Sequence, residues 1–170
     1  VADLSRTLPE PSQARGLLGE AQNRDVLLLC IELRKYARTS GDAGETLAQL
    51  AGDLERLTSA VKKRRGHVEA VAGHRVLARF EGEGRGSRAL AVASQILEGP
   101  EANPGGEAEA PVAALSAGRA VTGPVTWGDR SERALVGLPV QQLESLLREA
   151  APGELLLSRE VHDELRDAFE

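Results

Sequence analysis

The chain has 170 residues, of which 41% are hydrophobic and 28% charged, with a formal charge of −5; this is the balance of one globular domain rather than of a disordered chain. Only Tyr36, Phe80, Trp127 and Phe169 are aromatic, and the net charge is negative, which argues against a nucleic-acid module built on stacking rings or a basic field. Cys30 is the single cysteine, which excludes a disulfide scaffold and a cysteine-rich zinc site.

Residues 1–24 carry Pro9, Pro11, Gly16 and Gly19 without a sustained period and are read as a linker or entry segment, with 25–170 as the domain. No charged start followed by an apolar stretch and a cleavage site is visible. The absence of methionine and the opening at Val1 give the expectation of a fragment of a longer protein. Asp25 to Leu33 is a short apolar run bounded by polar residues, the pattern of a central strand covered on both faces; interrupted by Glu32, it is far short of the roughly 20 residues that span a bilayer. Leu47, Leu50, Leu54, Leu57 and Val61 fall at helical spacing and predict an amphipathic helix over about 44–65, with Asp53, Glu55 and Arg56 off the seam. The run Lys62 to Arg65 closes it with positive charge, and Gly66 is the expected residue after its end.

His67 to Ala72 and Arg75 to Phe80, joined by Gly73-His74, predict a hairpin. A glycine-rich loop from Glu81 to Gly86 leads into a helix expected to start at Ser87 as N-cap. Gly99 to Ala110 reads as an acidic loop. Strands follow at Val112 to Val121 and Arg133 to Val136, a helix at Val140 to Ala150, a strand at Glu154 to Leu157, and a last helix capped by Ser158. The order β-α-β-β-α-β-β-α-β-α contains a ferredoxin-like βαββαβ core. The fold class is therefore α+β, with extra C-terminal strands and helices and a sheet covered mainly on one face.

Several chemical patterns fail on inspection. Gly82-Glu-Gly-Arg-Gly-Ser87 lacks the Lys-Ser/Thr ending of a P-loop and the dinucleotide glycine spacing. His162-Asp163 has no accompanying nucleophile motif. Cys30 and His74 would offer two metal ligands where zinc wants three or four. The basic run Lys62 to Arg65 is read as a solvated helix end ahead of a phosphate patch.

From Asp25 to about Leu165 the chain resembles the class III adenylate/guanylate cyclase catalytic domain. Cys30-Ile-Glu-Leu-Arg-Lys-Tyr36 is similar to the family's Phe-Ala-Asp-Ile-Arg-Gly-Phe, and Val71-Ala-Gly-His-Arg-Val-Leu-Ala-Arg-Phe80 to its Phe-Ile-Gly-Asp-Gly-Val-Leu-Ala-Val-Phe. Leu115-Ser-Ala-Gly118 with Gly123, the stretch Leu135 to Leu146, and Ala151-Pro-Gly-Glu-Leu-Leu-Leu-Ser158 resemble further segments in the same order. The resemblance implies two Mg²⁺ on two aspartates, with an asparagine and an arginine supplied by a partner subunit. It puts Glu32 and His74 at the metal positions, Ala70 and Leu135 (or its neighbour Ala134) at the base-reading positions, Gln141 at the asparagine and Ser145 at the arginine. An imidazole suits Mg²⁺ poorly, and loss of such an arginine costs on the order of 10³-fold or more.

The expectation is therefore a catalytically inactive cyclase-homology domain, a dimerisation or regulatory module in a larger bacterial signalling protein in the cytoplasm. It needs no cofactor, Mg²⁺ entering only with residual cyclase activity. The expected partners are a second copy or a sister domain, through Leu138, Pro139, Gln141 and Ser145, and the parent protein's other domains; nucleic acid and membrane are not. The competing readings are a nucleotide sensor and a rewired cyclase acting on ATP or GTP.

Overall fold

The computed structural model describes residues 20–37, 41–99 and 109–169. Most of the expected entry segment and of the acidic loop lies outside the described residues. In chain order the elements are β1 (Gln22–Glu32), a 3-10 turn (Arg34–Tyr36), α1 (Ala43–Lys63), β2 (His67–Ala72), β3 (Arg75–Phe80), α2 (Arg85–Leu97), β4 (Val112–Trp127), β5 (Arg130–Val136), α3 (Leu138–Glu149), β6 (Leu155–Leu157) and α4 (Arg159–Phe169). No helix among the described residues is long and apolar enough to cross a membrane.

The sheet order is β2-β3-β1-β4-β5, with β6 parallel to the first part of β4. Its first four strands have the ferredoxin-like arrangement expected from the element order. β1 is central and antiparallel to β3 and β4. Successive side chains on a strand point to opposite faces, so the apolar run of β1 feeds two cores. Leu27, Leu29 and Ile31 pack under α1, α2 and α4 through Leu57, Val61, Val92 and Val161. Val26, Leu28 and Cys30 pack under α3 through Leu143 and Leu147. Three of the four helices thus share one face, while α3 alone covers the other.

The structure corrects several local expectations. β1 starts three residues early, at Gln22. β4 continues past Val121 through Gly123 and Pro124 to Trp127 and pairs with β5 to form a long arm. Pro124 is tolerated because β1 begins opposite Thr122, so that among the described residues no β1 strand position lies across from Pro124 to need its missing N–H. Helix α2 begins at Arg85 behind a left-handed Gly84 (φ 66°), with no side-chain cap from Ser87. Ser158 does cap α4, accepting from the Val161 N–H at 3.5 Å. At the end of α1 the left-handed residue is Arg65 (φ 57°) rather than Gly66. The Gly66 N–H reaches the Val61 carbonyl (2.9 Å) and the Arg65 N–H that of Lys62 (3.0 Å), a Schellman ending. Asp53, expected off the apolar seam, is buried.

Candidate functional site

The face under α3 carries the residues that the resemblance singles out. The register sets Glu32, the last residue of β1, directly across from Arg75, the first of β3. Glu32 Oε2 accepts from Arg75 Nη2 at 2.6 Å and from Nε at 3.1 Å. Arg75 Nη1 reaches across to both oxygens of Glu144 on α3, at 3.2 and 3.3 Å. Arg34, in the 3-10 turn, lies 3.4 Å from Glu32 Oε1 and donates to the carbonyls of Ala150 (2.9 Å) and Leu147 (3.0 Å). It thereby satisfies the otherwise unpaired C-terminal carbonyls of α3.

Electrostatics follow from this packing. Burial alone would raise the Glu32 carboxyl, but the hydrogen bond and charge of Arg75, helped by Arg34, hold it below the usual carboxylate range. Cys30 lies beneath the same group; burial pushes its thiol up to about 12, which leaves it an inert packing residue.

The remaining expected residues scatter around this centre. His74 sits half-buried in the β2–β3 turn, where its carbonyl accepts from the Leu33 N–H at 2.9 Å. Ala70 is exposed on β2, and Leu135 packs half-buried against the α3-side core. Gln141 and Ser145 are exposed on α3. Pro139, expected beside Leu138 on an interaction surface, is instead buried, with its ring over Gly118. His162 is exposed, 3.4 Å from Asp163.

A second ionic chain lies further along the hairpin. Glu69 on β2 accepts from Arg79 Nε at 2.5 Å, Arg79 also contacts Glu81, and Glu81 accepts from Arg24 at 3.0 Å. Arg133 of β5 comes within 3.9 Å of Glu69. The glycine-rich loop turns its carbonyls inward: Arg88 bonds those of Glu81 (2.6 Å) and Glu83 (3.3 Å), the reverse of the N–H cradle that a phosphate needs. On the opposite face a cavity of about 320 Å³ is lined by Leu33, Leu57, Ile96 and Pro111, with Lys35 and Asp53 among its polar groups; those two pair with each other at 2.6 Å.

Arg75, Glu144 and the bridging role of Arg34 escaped the sequence reading. The visible signal was Arg75 itself, which stands where the resembling hairpin has a glycine. Its partners depend on strand register and on the placement of α3, neither of which local pattern reveals.

The same architecture recurs in solved structures. The adenylyl cyclase CyaB from P. aeruginosa superposes with a TM-score of 0.74 at 15% identity, over 88% of this chain and 84% of that one. The chain carries the cyclase catalytic-domain fold. The dimeric guanylyl cyclase domain of the RhoGC fusion protein from the aquatic fungus Blastocladiella emersonii gives 0.73 at 16% identity, over 87% of both chains. A monomeric form of that guanylyl cyclase domain gives 0.73 at 14%, over 88% of this chain and 90% of that one. No family model matches the sequence, and no curated protein does.

Glu32 and His74, which the resemblance puts at the metal positions, do not fit a pair of Mg²⁺ ions. That ion demands near-octahedral oxygen ligands at about 2.0–2.1 Å. Here one candidate offers imidazole nitrogen, and the other has both oxygens turned to guanidinium groups. No group of three or more His, Cys, Asp or Glu side chains among the described residues converges to hold an ion.

Proposed function

We propose that this is a non-catalytic cyclase-homology domain that works by pairing with a second copy of itself or with a sister domain in a larger protein. The observation that carries the loss of chemistry is the Glu32 carboxylate, held by Arg75 at 2.6 Å and flanked by Arg34. Phosphoryl-type transfer depends on positioning and on charge neutralisation at the phosphates. Ala70, Leu135, Gln141 and Ser145 supply neither a charged contact nor a cation.

Pairing is supported by surface chemistry. Five of the seven exposed large apolar side chains among the described residues belong to the β4–β5 arm and the start of α3: Val121, Val125, Trp127, Val136 and Leu138. Clustered exposed apolar groups are the mark of an interaction surface.

Incubation with ATP or GTP and Mg²⁺ or Mn²⁺ tests the catalytic half. The expected result is no cyclic nucleotide above a heat-killed control and no melting shift with millimolar nucleotide. Turnover that Glu32→Ala abolishes overturns it, and a metal-dependent shift of several degrees favours a nucleotide sensor.

A further inference from the structure

We propose that Arg75 is a tethered cation filling what would otherwise be a divalent-ion site formed by Glu32 and Glu144, and that it joins β1, the β2–β3 turn and α3 without a metal. Two carboxylates from separate elements converge on one guanidinium: Glu32 through Nη2 and Nε, Glu144 through Nη1. This uses both edges of a planar group whose donors are fixed in a fork, a geometry that a lysine cannot reproduce. The register opposite Glu32 makes the contact a product of strand pairing, not of a wandering surface side chain.

The charges decide what else can enter. Glu32 and Glu144 are balanced by Arg75 and Arg34, so a dication arriving here would add two uncompensated charges to a partly buried place. The Glu32 side chain is 14% exposed and that of Glu144 55%. The first contact is therefore the sheltered anchor, and the second is the solvent-facing strap to α3, weak on its own.

Removing the guanidinium reverses the balance. Two hard oxygen donors would then face one vacated position; Arg34, beside Glu32, is already committed to the α3 carbonyls, and Arg148, on α3 with Glu144, to the Glu144 carbonyl. That is the chemistry of a carboxylate site for Mg²⁺ or Mn²⁺. The inference stands apart from the pairing proposed above, because its readout is ion binding by folded protein and not mass or turnover.

The test is Mn²⁺ binding followed by electron paramagnetic resonance, with circular dichroism to verify folding, on the wild type, Glu32→Gln, Arg75→Gly, and Arg75→Gly combined with Glu32→Gln. The wild type is expected to bind no Mn²⁺ and to melt at the same temperature with or without EDTA. Arg75→Gly should gain a site with Kd on the order of 10⁻³ M or tighter, the weak end of carboxylate sites, and the double variant should lose about tenfold or more of that affinity. If Arg75→Gly fails to fold, Arg75→Gln, which keeps the stem, replaces it. Folded Arg75 variants that bind no Mn²⁺ overturn the proposal. So does wild-type binding that Glu32→Gln weakens, a result that needs no Arg75 variant at all.

Discussion

Asp53 shows how a single side chain organises a region that the hydrophobic pattern hides. Its carboxylate accepts from Tyr36 OH and from Lys35 Nζ, each at 2.6 Å, and pairs with Arg56 one helical turn on. Burial opposes its charge, yet the bonds from Lys35 and Tyr36 overcome that and keep its pKa below the ordinary value. A depressed folded pKa means stability that is complete above the unfolded pKa of about 3.9 and is lost as pH falls through the lower folded value. Asp53→Asn should cost about 1–3 kcal/mol at pH 7, the usual penalty for stranding buried polar partners. The deficit should shrink below about pH 4, where the unfolded chain's carboxylate starts to be protonated while the folded one is still ionised. Urea unfolding at pH 7 and pH 3 checks this; a deficit identical at both values refutes it. The sequence placed Asp53 on the polar side of α1 because a helical seam counts only apolar residues. A polar residue buried by its partners leaves no periodic trace.

At the scale of elements, what was legible is what local rules determine. The β2–β3 hairpin, the central strand and the ends of α3 fell within a few residues of their expected places, since alternation, apolar runs and Pro-Gly turns act over short spans. The full length of β4 was not legible: Gly123-Pro124 reads as a break, and it is harmless because β1 begins only opposite Thr122. Gly66 was noticed for the wrong reason. A Cβ there would lie 2.6 Å from the Phe80 ring and 2.7 Å from Val61 Cγ1, both fully buried, so glycine is required by close approach and not by a left-handed cap. Gly52, in the exposed interior of α1, has nothing within 4 Å of such a Cβ. The two alanine substitutions should therefore differ in sign. Gly66→Ala overpacks the core and should cost about 1–3 kcal/mol, whereas Gly52→Ala should stabilise by roughly 0.5–1 kcal/mol. At about 2–4 °C per kcal/mol for a domain of this size, thermal melts separate them, and equal or same-signed shifts would contradict the packing account.

For the molecule as a whole, the fold was legible from five motifs in order, while the chemistry at its centre depended on contacts between distant segments. The remaining question is what the exposed arm does. Val121 and Val136 are direct cross-strand partners, and residues at even separation on a strand share a face, which puts Val125 and Trp127 with them. Leu138, 64% exposed, lies just past Val136 at the start of α3, the helix on the other face of the sheet. The guanylyl cyclase domain of the RhoGC fusion protein occurs in a dimeric and a monomeric structure, so the surface rather than the fold must carry the argument. If the stripe is the centre of a contact, one buried anchor should matter far more than its rim. The wild type should then run at twice its chain mass at micromolar concentration. Trp127→Ser and Leu138→Asp should each weaken association by about 2 kcal/mol or more, the size of a hot-spot residue, which is roughly a thirtyfold rise in Kd. Light scattering across a dilution series reads this directly. A monomer mass for the wild type throughout the micromolar range excludes the homodimer, and a dimer unmoved by both substitutions places the contact elsewhere.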